Sequence, residues 1–343
     1  MTANKPLRDQ QYMADNGHDT DWRLFRGDGR AKTITFPEAP PWRRFGRYED
    51  RETDASHRNR PYLIGPQEAD VVNAALLLRR PLLVTGHPGT GKSSLAYAVA
   101  HELSLGPVLH WPVNSRTTLQ DALYRYDAIG RLRETNMNRE LDGTAPPDMG
   151  IGSYFRLGPL GTALVASESP RVLLVDELDK GDVDLPNDLL NVFEEGEFEI
   201  LELARLPEDQ SSVRLMTADP GQWTEVVRGR VHCSEFPVVI ITSNGERDFP
   251  PAFLRRCVRL DLPEPDENRL RAIISAHLDP QDDSAAHGTP ELDDLMQAFL
   301  ARRARGELAT DQLLNAVFLR RGGVDLDAEG LLDAVLHRLA RTL

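Results

Sequence analysis

One stretch of eight residues limits the fold of this chain more than any other: Gly86-His87-Pro88-Gly89-Thr90-Gly91-Lys92-Ser93. An apolar segment at residues 81–85, typical of a buried strand, precedes it, and a run of helix formers at residues 94–103 follows it. Strand, glycine-rich loop and helix in this order predict a phosphate-binding loop. Its glycines let successive backbone N–H groups turn toward an anion, and the helix N-terminus adds partial positive charge.

The residue types in this loop predict a division of roles. Lys92 would reach the outer phosphates of a bound nucleotide, and the Ser93 hydroxyl would bind Mg²⁺. We take residues 86–93, together with Ser94 directly after them, as the candidate nucleotide-binding residues. The alternative is a glycine-rich turn that binds nothing.

Apolar segments predict five strands, at residues 81–85, 107–113, 171–176, 237–242 and 258–262. The third and fourth strands contain unbroken apolar runs, which are typical of central parallel strands covered on both faces. Helical patterns lie between several of the strands, and this alternation predicts a doubly wound α/β sheet.

The segments between and after these strands are predicted less uniformly. We expect helices at residues 66–78 and 184–193, a loop insertion at 127–155, and a hairpin strand at 197–203, where apolar and polar residues alternate. After residue 265 the strand pattern ends, and the remaining helical stretches are predicted at 266–278, 290–304, 310–320 and 326–342.

These patterns divide the chain into three parts. Residues 1–60 are predicted to form an irregular arm, 61–265 a nucleotide-binding α/β domain, and 266–343 an all-helical lid. The arm carries widely spaced aromatic residues, namely Trp22, Phe25, Phe36, Trp42 and Phe45. They would anchor the arm on the main domain or, alternatively, dock it onto a neighbouring subunit or partner.

Two acids end the third strand, at Asp176 and Glu177. A carboxylate at the carboxyl end of a central parallel strand faces the ligand crevice, so Asp176 would bind Mg²⁺ through water or through Ser93. Glu177, the next residue, would orient and deprotonate an attacking water. The alternative is a pair of solvated acids that only close the strand.

Two further candidates follow later strands. Asn244 lies just after the fourth strand, where an amide could position the water or contact the γ-phosphate; otherwise it is a turn residue. Arg255 and Arg256 precede the fifth strand. An arginine there, with Arg256 preferred, would be offered to the nucleotide of a neighbouring subunit, where it would neutralise charge that builds in the transition state. The alternative is an ordinary surface pair.

Composition limits the partners and the compartment. The net charge of −14 argues against binding nucleic acid or an anionic membrane through the overall field. No apolar run is long enough for a transmembrane helix, no signal peptide is visible, and the two cysteines, Cys233 and Cys257, give no disulfide framework. We therefore expect a cytoplasmic location.

Taken in order, these motifs resemble the AAA+ ATPases: phosphate loop, Val-Asp-Glu at 175–177, Ser-Asn at 243–244, Leu-Arg-Arg at 254–256, and a helical lid. The chain looks most like the MoxR-like branch, because the Arg-Leu-Gly-Pro-Leu segment at 156–160 and the helix at 185–196 are similar to segments of that branch. The resemblance covers residues 60 to 343.

The resemblance implies a five-stranded parallel sheet of order 5-1-4-3-2, a C-terminal lid, and a ring of six subunits with ATP and Mg²⁺ between them. It also implies roles for six residues: Lys92 and Ser93 at the phosphates and Mg²⁺, Asp176 at Mg²⁺, Glu177 at the water, Asn244 as sensor and Arg256 in trans. MoxR-like proteins remodel or mature protein partners, often with a partner that carries a von Willebrand factor A domain, and some serve bacterial conflict systems.

One departure from the family pattern bears on mechanism. The family's lid often offers an arginine to the γ-phosphate near the start of its third helix, and residues 308–314 contain none. The leading hypothesis is an ATP-hydrolysing ring that remodels a protein partner. A slow nucleotide-gated switch or scaffold is the second hypothesis, favoured by the missing arginine, and a nucleic-acid motor is the third.

Overall fold

The computed structural model describes residues 22–43 apart from 26, 28, 30 and 32, and then 62–140, 150–278, 290–304, 308–327 and 330–337. Phe45 and most of the predicted arm lie outside these residues, as do residues 141–149 of the predicted insertion. The described residues form eleven strands: β1 (Leu82–Thr85), β2 (Leu109–Pro112), β3 (Tyr124–Tyr126), β4 (Phe155–Leu157), β5 (Val172–Asp176), β6 (Glu197–Glu199), β7 (Ser212–Met216), β8 (Trp223–Val227), β9 (Arg230–His232), β10 (Val238–Ser243) and β11 (Val258–Asp261).

A five-stranded sheet in the order β11-β1-β10-β5-β2 forms the centre of the molecule, and every neighbouring pair in it is parallel. Its members are the five strands predicted from the sequence, so the predicted order 5-1-4-3-2 is confirmed. Along β5, Val172 and Leu174 belong to one apolar cluster, and Leu173 and Val175 to another. Successive side chains of a strand point to opposite faces, so unbroken apolar runs are needed to bury both faces of this sheet.

Helices cover both faces of the sheet and then continue alone toward the C-terminus. The described helices are α1 (Pro66–Leu78), α2 (Lys92–Glu102), α3 (Leu119–Leu123), α4 (Ala128–Glu140), α5 (Pro159–Ala163), α6 (Leu185–Glu195), α7 (Leu201–Ala204), α8 (Pro251–Leu254), α9 (Glu267–Leu278), α10 (Pro290–Arg303), α11 (Thr310–Arg321) and α12 (Leu331–Val335). Helix α1 matches its predicted bounds, and α6 and α9 to α11 match theirs to within two residues.

A second sheet, which the sequence did not predict, has six strands in the order β3-β4-β7-β8-β9-β6. All of its pairs are antiparallel except β4 with β7. Two insertions supply it: β3 and β4 lie between β2 and β5, and β6 to β9 lie between α6 and β10. Its buried residues, among them Phe155 and Leu215, join the same cluster as Leu173 and Val175. The two sheets therefore share one core.

Two local predictions are wrong. The loop expected at 127–155 contains helix α4, which Asp127 caps by accepting a hydrogen bond from the Gly130 N–H at 2.8 Å. Its apolar residues Ile129 and Leu132 are 65% and 62% exposed, so these two residues give no buried stripe that periodicity could reveal. The strand expected at 197–203 ends at Glu199, because fully buried Ile200 turns the chain into the short helix α7.

The C-terminal helices α9 to α12 pack around their own apolar cluster, which includes Leu270, Phe299 and Leu313. The arm contacts this cluster through Trp42, whose indole Nε1 donates to Asn315 Oδ1 at 3.0 Å and whose ring meets Phe318 edge-on. Of the arm's described aromatics, Trp42 therefore anchors it on the C-terminal helices rather than on the main domain, whereas Trp22, Phe25 and Phe36 are exposed.

Two further sequence predictions can be compared with the described part of the chain. None of its helices combines the length and the apolar character needed to cross a bilayer. Cys233 and Cys257 are free thiols.

Candidate nucleotide site

The phosphate loop leaves the carboxyl end of β1 and leads directly into α2. Gly86 has φ of +145°, and a Cβ there would lie 2.7 Å from the Leu262 carbonyl oxygen. Gly89 and Gly91 have φ of +78° and +89°. These values lie where L side chains are strained, so the loop needs glycine at these positions.

The Lys92 ammonium lies inside this loop and is only 7% exposed as a residue. Its Nζ donates to the carbonyl oxygens of Gly86 at 2.7 Å and His87 at 2.9 Å. Burial lowers the pKa of Lys92, and the nearby carboxylates of Asp179, Glu177 and Asp176 oppose that effect. The cation is thus held by the loop's own carbonyls, and phosphate oxygens could replace these acceptors.

The Asp176 carboxylate connects three elements of the site. Its Oδ1 accepts hydrogen bonds from Ser93 Oγ and Thr242 Oγ1, both at 2.7 Å, and its Oδ2 lies 3.2 Å from His110 Nε2. Burial by itself raises the pKa of Asp176, but the hydrogen bonds from His110, Ser93 and Thr242 lower it to about 2. The carboxylate therefore stays ionised at neutral pH.

A hydroxyl and an ionised carboxylate in contact are oxygen ligands of the kind that Mg²⁺ prefers. Across the residues that the structure describes, no group of three or more His, Cys, Asp and Glu side chains could hold a metal. Mg²⁺ usually keeps several waters and binds to one or two carboxylates plus substrate phosphates, so few protein ligands suffice for it. Ser93 and Asp176 thus suit the predicted ion.

Glu177 and Asn244 meet at the carboxyl ends of β5 and β10. Glu177 Oε1 lies 3.4 Å from Asn244 Nδ2 and 3.0 Å from Lys180 Nζ. The Glu177 N–H donates to Thr242 Oγ1 at 2.8 Å. The structure therefore brings the predicted water-activating acid and the predicted amide together, next to the Ser93–Asp176 pair.

The lid contacts the phosphate loop by packing. A Cβ on Gly89 would lie 2.8 Å from both the Ala309 Cβ and the Thr310 N, where α11 begins. Buried Gln312 accepts from the Ala309 N–H at 3.0 Å and donates to the His337 carbonyl at 2.8 Å, so it stabilises the start of that helix. The described lid residues that meet Gly89, Ala309 and Thr310, carry no cation.

The two arginines before β11 differ in their surroundings. Arg256 pairs through Nε with Glu194 on α6 and donates through Nη1 to the Ala252 carbonyl at 3.2 Å. Arg255 is exposed. Within one subunit, Arg256 therefore lies beside α6 and α8, and its predicted role toward a neighbour remains a prediction.

Sequence reasoning missed four residues of the site: His110, Thr242, Asp179 and Lys180. Thr242 ends a predicted strand, and the register then places it beside Asp176. Pro112 on β2 pairs with Asp176, so His110, two residues earlier, shares the same face. The predicted strand order already puts β2 beside β5, but only the register shows that His110 lies near Asp176.

Residues 81–257 match the family model described as the AAA domain of the dynein-related subfamily. No curated protein matches the chain.

Among solved structures, NtrX from Brucella abortus in complex with ATP is 16% identical, with a TM-score of 0.42; the match covers 84% of this chain and 59% of NtrX. PCH-2 of C. elegans is 13% identical, with a TM-score of 0.34, over 75% of this chain and 62% of PCH-2. The chain thus spans less than two thirds of each of these proteins.

Proposed function

Because this chain belongs to the AAA domain family, dynein-related subfamily, and is an AAA+ ATPase, we propose that it works as a ring that remodels or matures a protein partner. In this proposal ATP binds with Mg²⁺ at the phosphate loop, and a neighbouring subunit completes the site. The finer assignment to the MoxR-like branch rests on the sequence segments that resemble it.

The contact of Ser93 with Asp176, with Glu177 and Asn244 beside it, is the observation that carries this proposal. A hydroxyl, an ionised carboxylate and a second acid would then lie within reach of one bound triphosphate. Lys92 and the loop's N–H groups would bind the phosphates. Mg²⁺, when bound, would neutralise charge on the phosphate oxygens, and Ser93 and Asp176 would hold it.

Glu177 would take a proton from the attacking water, and Asn244 would orient that water. In the structure the Glu177 carboxylate contacts Lys180 as well as Asn244.

The ring part of the proposal rests on Arg256. Its pairing with Glu194 is partly exposed, so a neighbouring phosphate could compete for the guanidinium. In this scheme Arg256 stabilises charge in the neighbour's transition state, whereas Glu177 acts within its own subunit. The two residues then serve different sites, and subunits that lack one or the other should complement each other.

Mixing two variants tests this scheme. Glu177→Gln keeps the arginine but lacks the base, and Arg256→Ala keeps the base but lacks the arginine. We expect each alone to hydrolyse ATP at least about 10²-fold more slowly than the wild-type protein. Mixed rings should recover a measurable part of the rate, because some Arg256→Ala sites receive an arginine from a neighbour.

Arg255→Ala is the matched control, since it removes the adjacent exposed arginine. Its rate should stay within about threefold of wild type. No recovery in mixtures shown to co-assemble would remove the inter-subunit arginine from the proposal. Full activity of Arg256→Ala alone would do the same.

The contact between lid and loop favours a second candidate, a slowly hydrolysing nucleotide-gated switch or scaffold. Ala309 and Thr310 meet the loop there, and the described contact brings no cation to the γ-phosphate. Turnover below about one per minute, with tight ATP binding and partner release on hydrolysis, would select the switch over the remodelling ring.

For the partner, we propose a protein with a von Willebrand factor A domain, on the strength of the MoxR-like resemblance. The cytoplasm is the proposed compartment. A purified protein of this class should stimulate hydrolysis by the wild-type chain and leave the Glu177→Gln variant inactive. A partner that neither binds nor changes the rate would count against this choice.

A further inference from the structure

Asp179 is a buried carboxylate of the site that the sequence did not indicate. The residue is 3% exposed, and its Oδ2 accepts hydrogen bonds from the backbone N–H groups of Asn244 at 2.9 Å and Glu246 at 3.1 Å. Hydrogen bonds to an ionised acceptor are stronger than those between neutral groups. The acid therefore holds the loop that follows β10.

The chain reaches this position through a strained turn. Glu177 has φ of +59°, which is uncommon for a residue with a side chain, and a 3₁₀ turn at Leu178–Lys180 follows. Leu178 is 1% exposed and fixes the turn in the core. Asp179, the next residue, is thereby placed beside the loop that follows β10.

A second bond ties the same two loops together. Arg247 Nη1 donates to the Gly181 carbonyl at 2.8 Å. The segments after β5 and β10 are thus joined by the hydrogen bonds of Asp179 and by that of Arg247. The side-chain amide of Asn244 contacts Glu177, and these two residues belong to the same two segments.

We propose that Asp179 is a positioning residue that sets the distance between Glu177 and Asn244 by fixing the backbone of the β10 loop. Without the Asp179 carboxylate, the Asn244 backbone loses the hydrogen bond that holds it, and the side-chain amide of Asn244 is no longer directed at Glu177. Displacement of a catalytic group by about 1 Å can lower a rate by about 10²-fold. This inference rests on the proposed function, because it gives the pair a role in hydrolysis.

A purely electrostatic role is the rival explanation. Asp179 Oδ1 is buried and has no hydrogen-bond partner in the part of the chain that the structure describes. Burial lowers the pKa of Lys92, and Asp179 opposes that effect more than any other charge. The carboxylate could therefore act through its charge on Lys92 rather than through the loop.

Two substitutions separate these roles. Asp179→Asn keeps a carbonyl oxygen that can accept both N–H groups but removes the charge, whereas Asp179→Ala removes both. If positioning matters, we expect Asp179→Ala to lower kcat about 10- to 100-fold with KM within about threefold, and Asp179→Asn to keep kcat within about threefold. Equal losses in both variants would overturn the proposal.

Asp182→Ala is the matched control. Asp182 lies on the same segment and also accepts a backbone N–H, that of Asp184 at 3.0 Å, but it does not tie the two loops through this bond. Its kcat should stay within about twofold of wild type. If Asp179→Ala does not fold, Asp179→Glu replaces it: the charge stays while the carboxylate moves by a methylene, and positioning again predicts a loss.

Amide hydrogen exchange supplies a measurement that does not depend on turnover. In Asp179→Ala the amides of Asn244 and Glu246 should exchange at least about tenfold faster, and in Asp179→Asn their protection should remain. Unchanged protection in Asp179→Ala would overturn the proposal that Asp179 fixes the backbone of the β10 loop. If the wild-type chain hydrolysed no ATP, the proposed function would fail, yet the exchange data would still test whether Asp179 fixes this loop.

A double-mutant cycle identifies the residue through which Asp179 acts. In an Asn244→Ala background, Asp179→Ala should lower kcat by less than about threefold, because the amide that it positions is already gone. Full additivity of the two losses would show that Asp179 does not act through Asn244, and would contradict the proposal.

Discussion

The two sheets of this molecule share one core but differ in what they carry. In the parallel sheet the strands β1, β5 and β10 are apolar and buried on both faces, and the carboxyl edge of the sheet holds the loop, the acids and the amide of the candidate site. The second sheet has strands of three to five residues, mostly antiparallel, and none of the predicted site residues. The predicted site residues thus lie together at the edge where the parallel strands end, whereas the inserted sheet contributes packing to the shared core.

The largest expected difference between the two sheets is in hydrolysis. Lys92→Ala should lower the ATPase rate at least about 10²-fold, because it removes a buried cation that would hold the phosphates. Arg214→Ala, an exposed basic residue on β7, should leave the rate within about twofold. Steady-state phosphate release by the two variants measures the difference. A comparable loss in Arg214→Ala would place catalytic function on the second sheet as well.

A pair of core substitutions tests whether the sheets form one folding unit. Leu174 on β5 and Leu215 on β7 are both 0% exposed. Replacing either with alanine should lower the free energy of unfolding by about 2–5 kcal/mol through lost burial and a cavity. Urea unfolding should show one transition for each variant. Two transitions, with Leu215→Ala shifting only one, would mean that the second sheet unfolds separately.

Acid should reveal the interactions that Asp176 makes on the parallel sheet. Its folded pKa of about 2 lies below the ordinary aspartate value of 3.8, so its stabilising effect is present above about pH 4 and is lost as pH falls toward 2. The loss is on the order of 2 kcal/mol. Urea unfolding of Asp176→Asn, measured without nucleotide or metal, should depend less on pH over this window. An unchanged pH dependence would show that the carboxylate is not held as described.

The smallest effect is expected from replacing either of two glycines with alanine. Gly89 and Gly106 have nearly equal φ, at +78° and +77°. An alanine at Gly106 meets open space, whereas one at Gly89 would collide with Ala309 and Thr310 of the lid. Both changes should cost about 1 kcal/mol of stability through backbone strain.

Only Gly89→Ala should also weaken nucleotide binding, by about tenfold, because it displaces the lid. Calorimetric titration of ATP measures this for both variants. Equal nucleotide affinity in the two variants would show that the contact between the lid and the phosphate loop does not affect nucleotide binding. A partial recovery on adding Ala309→Gly would assign the loss to the lid contact.

The contrast between the sheets also explains what the sequence could predict. Runs such as 172–175 and 238–241 have no polar residue, so their burial and their place in the centre of the sheet follow from composition alone. In the second sheet, three of the five strand pairings join residues far apart in the chain, as when Glu197 meets His232. The strands are also only three to five residues long, which leaves too few alternations to recognise.

The residues of the candidate site likewise differ in whether the sequence could predict them. The phosphate loop, Asp176, Glu177 and Asn244 were predictable because each follows a recognisable strand or motif, and the structure brings them together. Asp179 and His110 were not, because their contacts depend on the turn after β5 and on the register of β2 against β5, which the predicted strand order does not give. Helix α4 was missed because Ile129 and Leu132 stay exposed.

The central claim is that Lys92, Ser93 and Asp176 form one site for Mg²⁺-bound ATP. Calorimetric titration of ATP into the Glu177→Gln protein, with and without Mg²⁺, tests it most directly because this variant should bind without turning over. We predict one nucleotide per chain and an affinity at least about tenfold higher with Mg²⁺, a difference that Asp176→Asn removes. No heat with any adenine nucleotide, or equal affinity with and without Mg²⁺, would contradict the claim.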